Sequence, residues 1–371
     1  MKEVFLKLVR IGIEHYEDSI PQIINWQEVK DLAAKQGLSA VVLDGIDNLP
    51  DYRRPSKDFL LEWIAETLQG YEYRYDLYLK AIAELAGFYN RHGFKMMVLK
   101  GYACSLDWLK PNHRPCGDID IWLFGKQREA DSLLVKEKNV EIDSSHHHHT
   151  VFIWRDFSVE NHYDFISVYH HMSHARLEKL FKELGDEYNI KESNNNNSGG
   201  MGIQSVNVCG EKVYLPSPDL HALFLLKHTM LHFVSGEINL RQIVDWGFFV
   251  EKHGNDVDWK WLLDVLEEYG MTPAFNIFNA ICVEDLGFDA SFFPQIQFSP
   301  IVKERALNEI LYAESTNNGP KGFFSHLKYR YRRWKASSWK HDLCYKESMT
   351  SAFWYGVWGH IIKPKSFWTH N

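Results

Sequence analysis

Apolar positions recur every three or four residues from Met1 to about Asn90, with Phe5, Leu8, Val9 and Ile13 on one helical stripe. Asn25, followed three residues later by Glu28, forms a capping-box pattern that predicts a helix ending near Gly37. Ser56 can cap a longer helix, with Phe59, Leu60, Trp63, Ile64 and Leu68, then Leu77, Tyr78, Ile82 and Leu85, along one side. The rhythm changes at His92-Gly93. Residues 94–99 are an apolar run without helical period, read as a buried strand ending in Lys100-Gly101, and residues 103–109 read as an amphipathic helix. Residues 118–123 alternate strictly, the mark of a half-buried strand. A polar helix over 127–138 leads to strands over 150–154 and 157–165, separated by Arg155-Asp156, the length of a two-residue hairpin turn. The NNNNSGG stretch at 194–200 reads as a flexible loop. Strands over 205–208 and 212–215 follow, and Ser217-Pro218 can open a helix that begins an all-helical remainder. The pattern predicts an α+β protein: a sheet-bearing core at 92–216 between helical regions at 1–91 and 217–371.

Composition narrows the class. The 371 residues are 45% hydrophobic, 15% aromatic and 24% charged, which excludes disorder, collagen and a coiled-coil rod. The net charge of −8 means that any nucleic-acid role must rest on a local patch. Five scattered cysteines without a CxxC pair predict reduced thiols and a cytoplasmic protein. No run approaches the roughly 18 consecutive apolar residues of a membrane span.

The candidate chemistry centres on Asp118 and Asp120. Two residues apart on a strand, they point to one face, while Ile119, Ile121 and Leu123 anchor the other. Like charges side by side on a sheet are destabilising, and a divalent cation removes that cost. Mg²⁺ takes oxygen ligands and pairs one or two carboxylates with substrate phosphates. Lys100-Gly101 opens a helix, where phosphate is favoured, and Arg114 precedes the aspartate strand, within reach of a phosphate or of the loop. Lys100 could equally pair with a site carboxylate. Downstream, Glu160, His162 and Asp164 share a strand face opposite Val159 and Asn161, and Glu160 is the preferred third carboxylate, with Asp164 as the alternative.

The stretches Val98-Leu99-Lys100-Gly101 and Arg114-Pro115-Cys116-Gly117-Asp118-Ile119-Asp120-Ile121 resemble the nucleotidyltransferase superfamily, and more narrowly a bacterial family of uncharacterised nucleotidyltransferases. The segment 159–164 resembles that family's V-E-x-H-W stretch, and 223–232 with 240–246 resemble its helical region carrying His, Arg and Asp. The likeness covers roughly residues 80–250. It implies a mixed sheet with helices on one side, two Mg²⁺ ions held by Asp118, Asp120 and Glu160, and a nucleoside triphosphate donor contacted by Lys100, Gly101 and Arg114. It also places His162, His228 and Arg241 near the substrate. The implied reaction moves a nucleoside monophosphate onto a hydroxyl of a small molecule or protein and releases pyrophosphate. The superfamily shows Gly or Ser where Tyr102 follows Gly101 here, a place where a tyrosine would crowd a triphosphate. A binding module without turnover is therefore the alternative.

Other signals are weaker. His146 to His149 form an internal run, but alternate members of a strand point to opposite faces, leaving too few convergent metal ligands; His170, His171 and His174 lie close behind. His228 and His232 share a helix face without the Glu of an HExxH motif, and Arg241 and Asp245 are spaced as an intrahelical ion pair. Residues 321–346 carry eight Lys/Arg against one Asp, interleaved with aromatics. That composition suits RNA or an anionic membrane surface, and so a third reading as an RNA-directed transferase, against a solvated helix face whose aromatics pack inward.

Overall fold

The computed structural model of the chain describes residues 1–15, 20, 21, 23–169, 171–190, 202–294, 297–312 and 334–362, with side chains to 355 in the last of these segments. Three short helices open it: α1 (Lys2–Gly12), α2 (Trp26–Lys35) and α3 (Ser39–Asp47). The capping box before α2 forms, with Glu28 N–H donating to Asn25 Oδ1 (3.3 Å) and Asn25 Nδ2 donating to Glu28 Oε1 (2.8 Å). The long helix expected after Ser56 consists of α4 (Lys57–Thr67) and α5 (Arg74–Arg91), joined by a π-helical stretch at Leu68–Tyr73. Trp63 and Tyr78 are buried while Leu68 is half-exposed, so the stripe read across 59–85 does not keep one inward face through the π-turn.

Among the described residues, six strands form one mixed sheet. They are β1 (Met97–Val98), β2 (Asp118–Trp122), β3 (His149–Trp154), β4 (Phe157–His162), β5 (Gln204–Val208) and β6 (Glu211–Leu215), in spatial order β3-β4-β2-β1-β6-β5. β1 is shorter than the 94–99 run predicts. β2 and β4 run parallel, and β3 and β4 form the expected hairpin across Arg155-Asp156. The β5–β6 turn is one residue shorter than expected. Cys209 and Gly210 both adopt positive φ (47° and 95°), so two residues suffice.

Alternation along the strands divides the core. Val98, Ile119, Ile121, Val159 and Val213 face α5 and α7 (Gln127–Lys138). Met97, Trp122 and Tyr214 face the opposite way, into a larger core. That core also contains α8 (His174–Leu184), α9 (Pro218–Ser235), α10 (Leu240–His253) and the helices around them. Helices thus cover both faces, not the one side that the resemblance implies. The α5 stripe and the apolar face of β2 both need cover, and they supply it to each other. α1–α3 join the larger core, where Gln36 donates to the Leu311 carbonyl (3.0 Å) and accepts from Leu240 N–H (2.7 Å). Residues 194–200 and 321–333 and His170 lie outside the described residues. Of the basic aromatic segment beyond 333, Trp339 stacks under Arg305 (4.0 Å) and Lys340 pairs with Glu309 (2.7 Å), so both pack on the body. No described helix is long and apolar enough to cross a membrane.

Gly101 turns the chain at the end of β1. Its φ is +63°, and a Cβ there would lie 2.3 Å from the Tyr78 hydroxyl, which itself donates to the Asp118 carbonyl (2.8 Å). Gly101→Ala is expected to lower stability by about 2 kcal/mol or more in urea unfolding, with part recovered in Gly101→Ala/Tyr78→Phe. An unchanged midpoint for Gly101→Ala would show that the turn relaxes freely.

Candidate active site

The parallel pairing of β2 with β4 places Asp120 directly beside Glu160 and Trp122 beside His162. Side chains of even-numbered residues on both strands therefore point to the face covered by α9. There they line a cavity of about 240 Å³, together with Lys100 from the end of β1 and Phe224, Lys227, His228 and His232 from α9. Asp118 is at its rim with a side chain 43% exposed, whereas Asp120 is 1% exposed.

An ionised aspartate that deep needs counter-charge. Lys100 supplies it: Nζ lies 3.1 Å from Asp120 Oδ1 and 3.6 Å from Asp118 Oδ2. His162 Nε2 adds a second contact to Asp120 Oδ1 at 3.3 Å. Burial works against the Asp120 charge, but Lys100 and His162 outweigh it and hold the carboxyl far below its ordinary range. Burial likewise opposes a charge on Lys100, yet the three carboxylates raise its pKa. Glu160 has less help; burial, with the Asp120 charge adding to it, pushes it up to about 7. The repulsion expected between the paired aspartates is thus relieved by a lysine.

Lys100 Nζ also donates to His228 Nε2 (3.2 Å), which requires that nitrogen unprotonated. Burial, reinforced by Lys100, keeps His228 neutral. Asp120 Oδ2 remains buried without a hydrogen-bond partner. An orphan carboxylate oxygen on Asp120, whose neighbours in the cavity include Asp118 and Glu160, fits a hard divalent cation, so the three carboxylates have the chemistry to hold Mg²⁺.

Several expected site residues stand elsewhere. Arg114 is buried against Asp245, with Nε–Oδ1 at 2.7 Å and Nη2–Oδ2 at 2.8 Å, and does not line the cavity; it braces the loop before β2. Asp245 also accepts from Trp108 Nε1 (2.8 Å). The bidentate Arg114 fork claims this carboxylate, so the intrahelical Arg241–Asp245 pair does not form; Arg241 donates to the Pro115 carbonyl (3.1 Å) and lies behind the cavity wall. Gly101 is packed against Tyr78, and the helix it precedes, α6 (Tyr102–Ser105), is only four residues long. It therefore offers no dipole to a phosphate. Tyr102 turns into the α5-side core and crowds nothing in the cavity. Asp164 is engaged by Lys182 outside the cavity, whereas Glu160 lines it beside Asp120; Glu237, just past the end of α9, also lines it. Asn161 faces away, donating to Asp131 (2.8 Å), as the alternation predicts.

The structure adds groups that spacing alone does not single out. Lys227 donates from Nζ to His174 Nε2 (3.0 Å) and lies 4.2 Å from the Tyr345 ring centre; burial pushes its pKa down to about 7. A lone lysine in the apolar stretch 222–231, on the helix stripe of Phe224 and His228, is the signal for it. His148 and His149 also reach the cavity.

A family model described as "Uncharacterised nucleotidyltransferase" matches residues 22–287, and the chain belongs to that family. The match extends beyond the stretch of likeness read from the motifs, taking in α2–α5 and α11–α12 (Trp259–Glu268 and Thr272–Ala280). A solved structure similar to the chain is an antigenic nucleotidyltransferase-like protein from Paracoccidioides brasiliensis. It has 17% identity and a TM-score of 0.30, over 47% of this chain and 75% of that one. No curated protein matches the chain.

Removing Asp245 strands a buried guanidinium, so Asp245→Ala is expected to cost about 3–5 kcal/mol in urea unfolding. A loss under 1 kcal/mol would mean that Arg114 finds water or another partner. Lys227 binds its proton less tightly when folded (about 7) than unfolded. Between pH 7 and the ordinary lysine range the unfolded chain therefore holds more protons, and stability should rise with pH. Lys227→Met should flatten that rise and be the more stable form near pH 7, by urea midpoints at pH 7 and 9.5. Parallel curves for the two proteins would place the charge elsewhere.

Proposed function

We propose that this member of the family is a metal-dependent nucleotidyltransferase that moves a nucleoside monophosphate from a triphosphate to an acceptor hydroxyl. The observation that carries the reading is the convergence of Asp118, Asp120 and Glu160 on one cavity, with a buried, unpartnered oxygen on Asp120. Asp118, Asp120 and Glu160 are the residues that would hold Mg²⁺. Bound there, two such ions would neutralise the triphosphate and the attacking and leaving oxygens.

The residues of this chain do the rest. The acceptor hydroxyl attacks the α-phosphorus in line; the new O–P bond forms as the bond from that phosphorus to the bridging oxygen breaks and pyrophosphate leaves. Glu160, beside Asp120 on the neighbouring strand, is the carboxylate we assign to take the hydroxyl proton. Lys100 holds Asp118 and Asp120 and can donate to a phosphate oxygen once the carboxylates have other counter-charge. His162 fixes the Asp120 carboxylate, and His228 fixes the Lys100 ammonium. α9 closes the face of the sheet and limits water, so these fixed charges act at low dielectric. The cavity volume suits part of a nucleotide, with the remainder at the rim beside Asp118.

Each labelled triphosphate with Mg²⁺ should give pyrophosphate and a labelled product with the full chain. Asp118→Asn, at the half-exposed rim, should remove Mg²⁺-dependent triphosphate binding while the protein stays folded. Glu160→Gln should retain binding and lose transfer by about a thousandfold, on the order of 4 kcal/mol of transition-state stabilisation. Wild-type turnover by Glu160→Gln would remove it from the chemistry. Binding without pyrophosphate release from any triphosphate would favour a nucleotide-binding module.

A further inference from the structure

Beside the carboxylates the cavity wall carries a second donor set of different chemistry. His149 opens β3 directly opposite His162 on β4, and cross-strand partners share a face. His149 is 6% exposed, and neither of its ring nitrogens has a hydrogen-bond partner. A buried imidazole with both nitrogens unmatched is costly, and such a group calls for a ligand. His148 comes next to it because the chain bends over residues 146–148 before the strand begins, so consecutive histidines converge instead of alternating. Ring centres lie 4.3 Å apart for His148 and His149, 5.3 Å for His149 and His162, and 5.6 Å for His148 and His162. One nitrogen from each of the three lies within 4.8 Å of the others, close enough to share one ion.

The surroundings orient this set. His162 Nδ1 is 3.2 Å from the Asp164 carbonyl, so a proton there is donated to the backbone, and Nε2, which faces Asp120 Oδ1 at 3.3 Å, would lose its proton and that hydrogen bond on ligating an ion. Glu160 Oε2 lies 3.9 Å from His149 Nδ1 and 3.8 Å from His162 Nε2, so this carboxylate, shared with the Mg²⁺ set of the proposed reaction, would complete four-coordination when no Mg²⁺ is bound. Imidazole suits zinc, cobalt, nickel or iron, whereas magnesium selects oxygen.

We propose that His148, His149 and His162 form a binding site for one transition-metal ion of the zinc class, adjoining the Asp118–Asp120 carboxylates. The site does not depend on nucleotidyl transfer and would exist in an inactive member of the fold.

Co²⁺ is the probe, because four-coordinate cobalt absorbs in the visible and Zn²⁺ displaces it. The full chain, stripped with chelator, is titrated with Co²⁺ alone. One equivalent with a four-coordinate spectrum, displaced by Zn²⁺, is expected. His149→Ala should lower the affinity about a hundredfold, and His149→Gln, checked by circular dichroism, covers the case in which the alanine variant does not fold. Asp118→Asn should keep the cobalt spectrum. Wild-type cobalt affinity in folded His149→Gln, or no spectrum with the wild type, overturns the proposal. Cobalt binding without turnover sinks the transferase reading alone, and turnover without the cobalt site sinks this one alone.

Discussion

Keeping Asp120 ionised with almost none of its surface in water is the constraint around which the centre of the molecule is arranged. Two unit charges this close attract strongly at low dielectric, but each has lost its hydration, so the pair persists only with further partners. Lys100 has Asp118, Asp120 and His228; Asp120 has Lys100 and His162. Each partner is delivered by a different element. The turn at Gly101 sets Lys100, the β2–β4 register sets Glu160 and His162, and α9 brings His228. The Arg114–Asp245 pair then ties the loop before β2 to α10, at the end of the strand where the aspartates lie.

Rigidity of this kind serves phosphoryl chemistry, where positioned charges lower the barrier and little covalent participation is needed. The same arrangement gives Lys100 two possible partners. It neutralises the aspartates; with other counter-charge on them, its ammonium becomes available to an anion. The wall of histidines next to Glu160 gives the cavity a softer side. One cavity therefore offers hard and borderline donors within a few ångströms of each other.

Much of this was legible from local pattern. Strict alternation over 118–123 placed both aspartates on one face, and alternation over 157–162 separated Glu160 and His162 from Val159 and Asn161, as the Asn161–Asp131 bond bears out. The capping box before α2 and the Ser217 cap of α9 were equally readable. What escaped depends on contacts distant in sequence. Arg114 looks like a phosphate ligand until Asp245, 131 residues away, takes its guanidinium. Tyr102 looks obstructive until its side chain is seen to fill the core on the far side of the sheet. Read as strand throughout, the histidine run cannot converge, whereas the chain bends before His149. The stripe loses its single inward face through the π-turn at Leu68–Tyr73, for which apolar spacing gives no sign.

Anomalous scattering from crystals of the full chain grown with Mn²⁺ and a non-hydrolysable triphosphate would test the central claim most directly. Expected is manganese among Asp118, Asp120 and Glu160, with the Lys100 ammonium moved off Asp120 Oδ1 toward a phosphate oxygen. Manganese absent from these carboxylates, with Lys100 still on Asp120 and the triphosphate bound elsewhere, would contradict it.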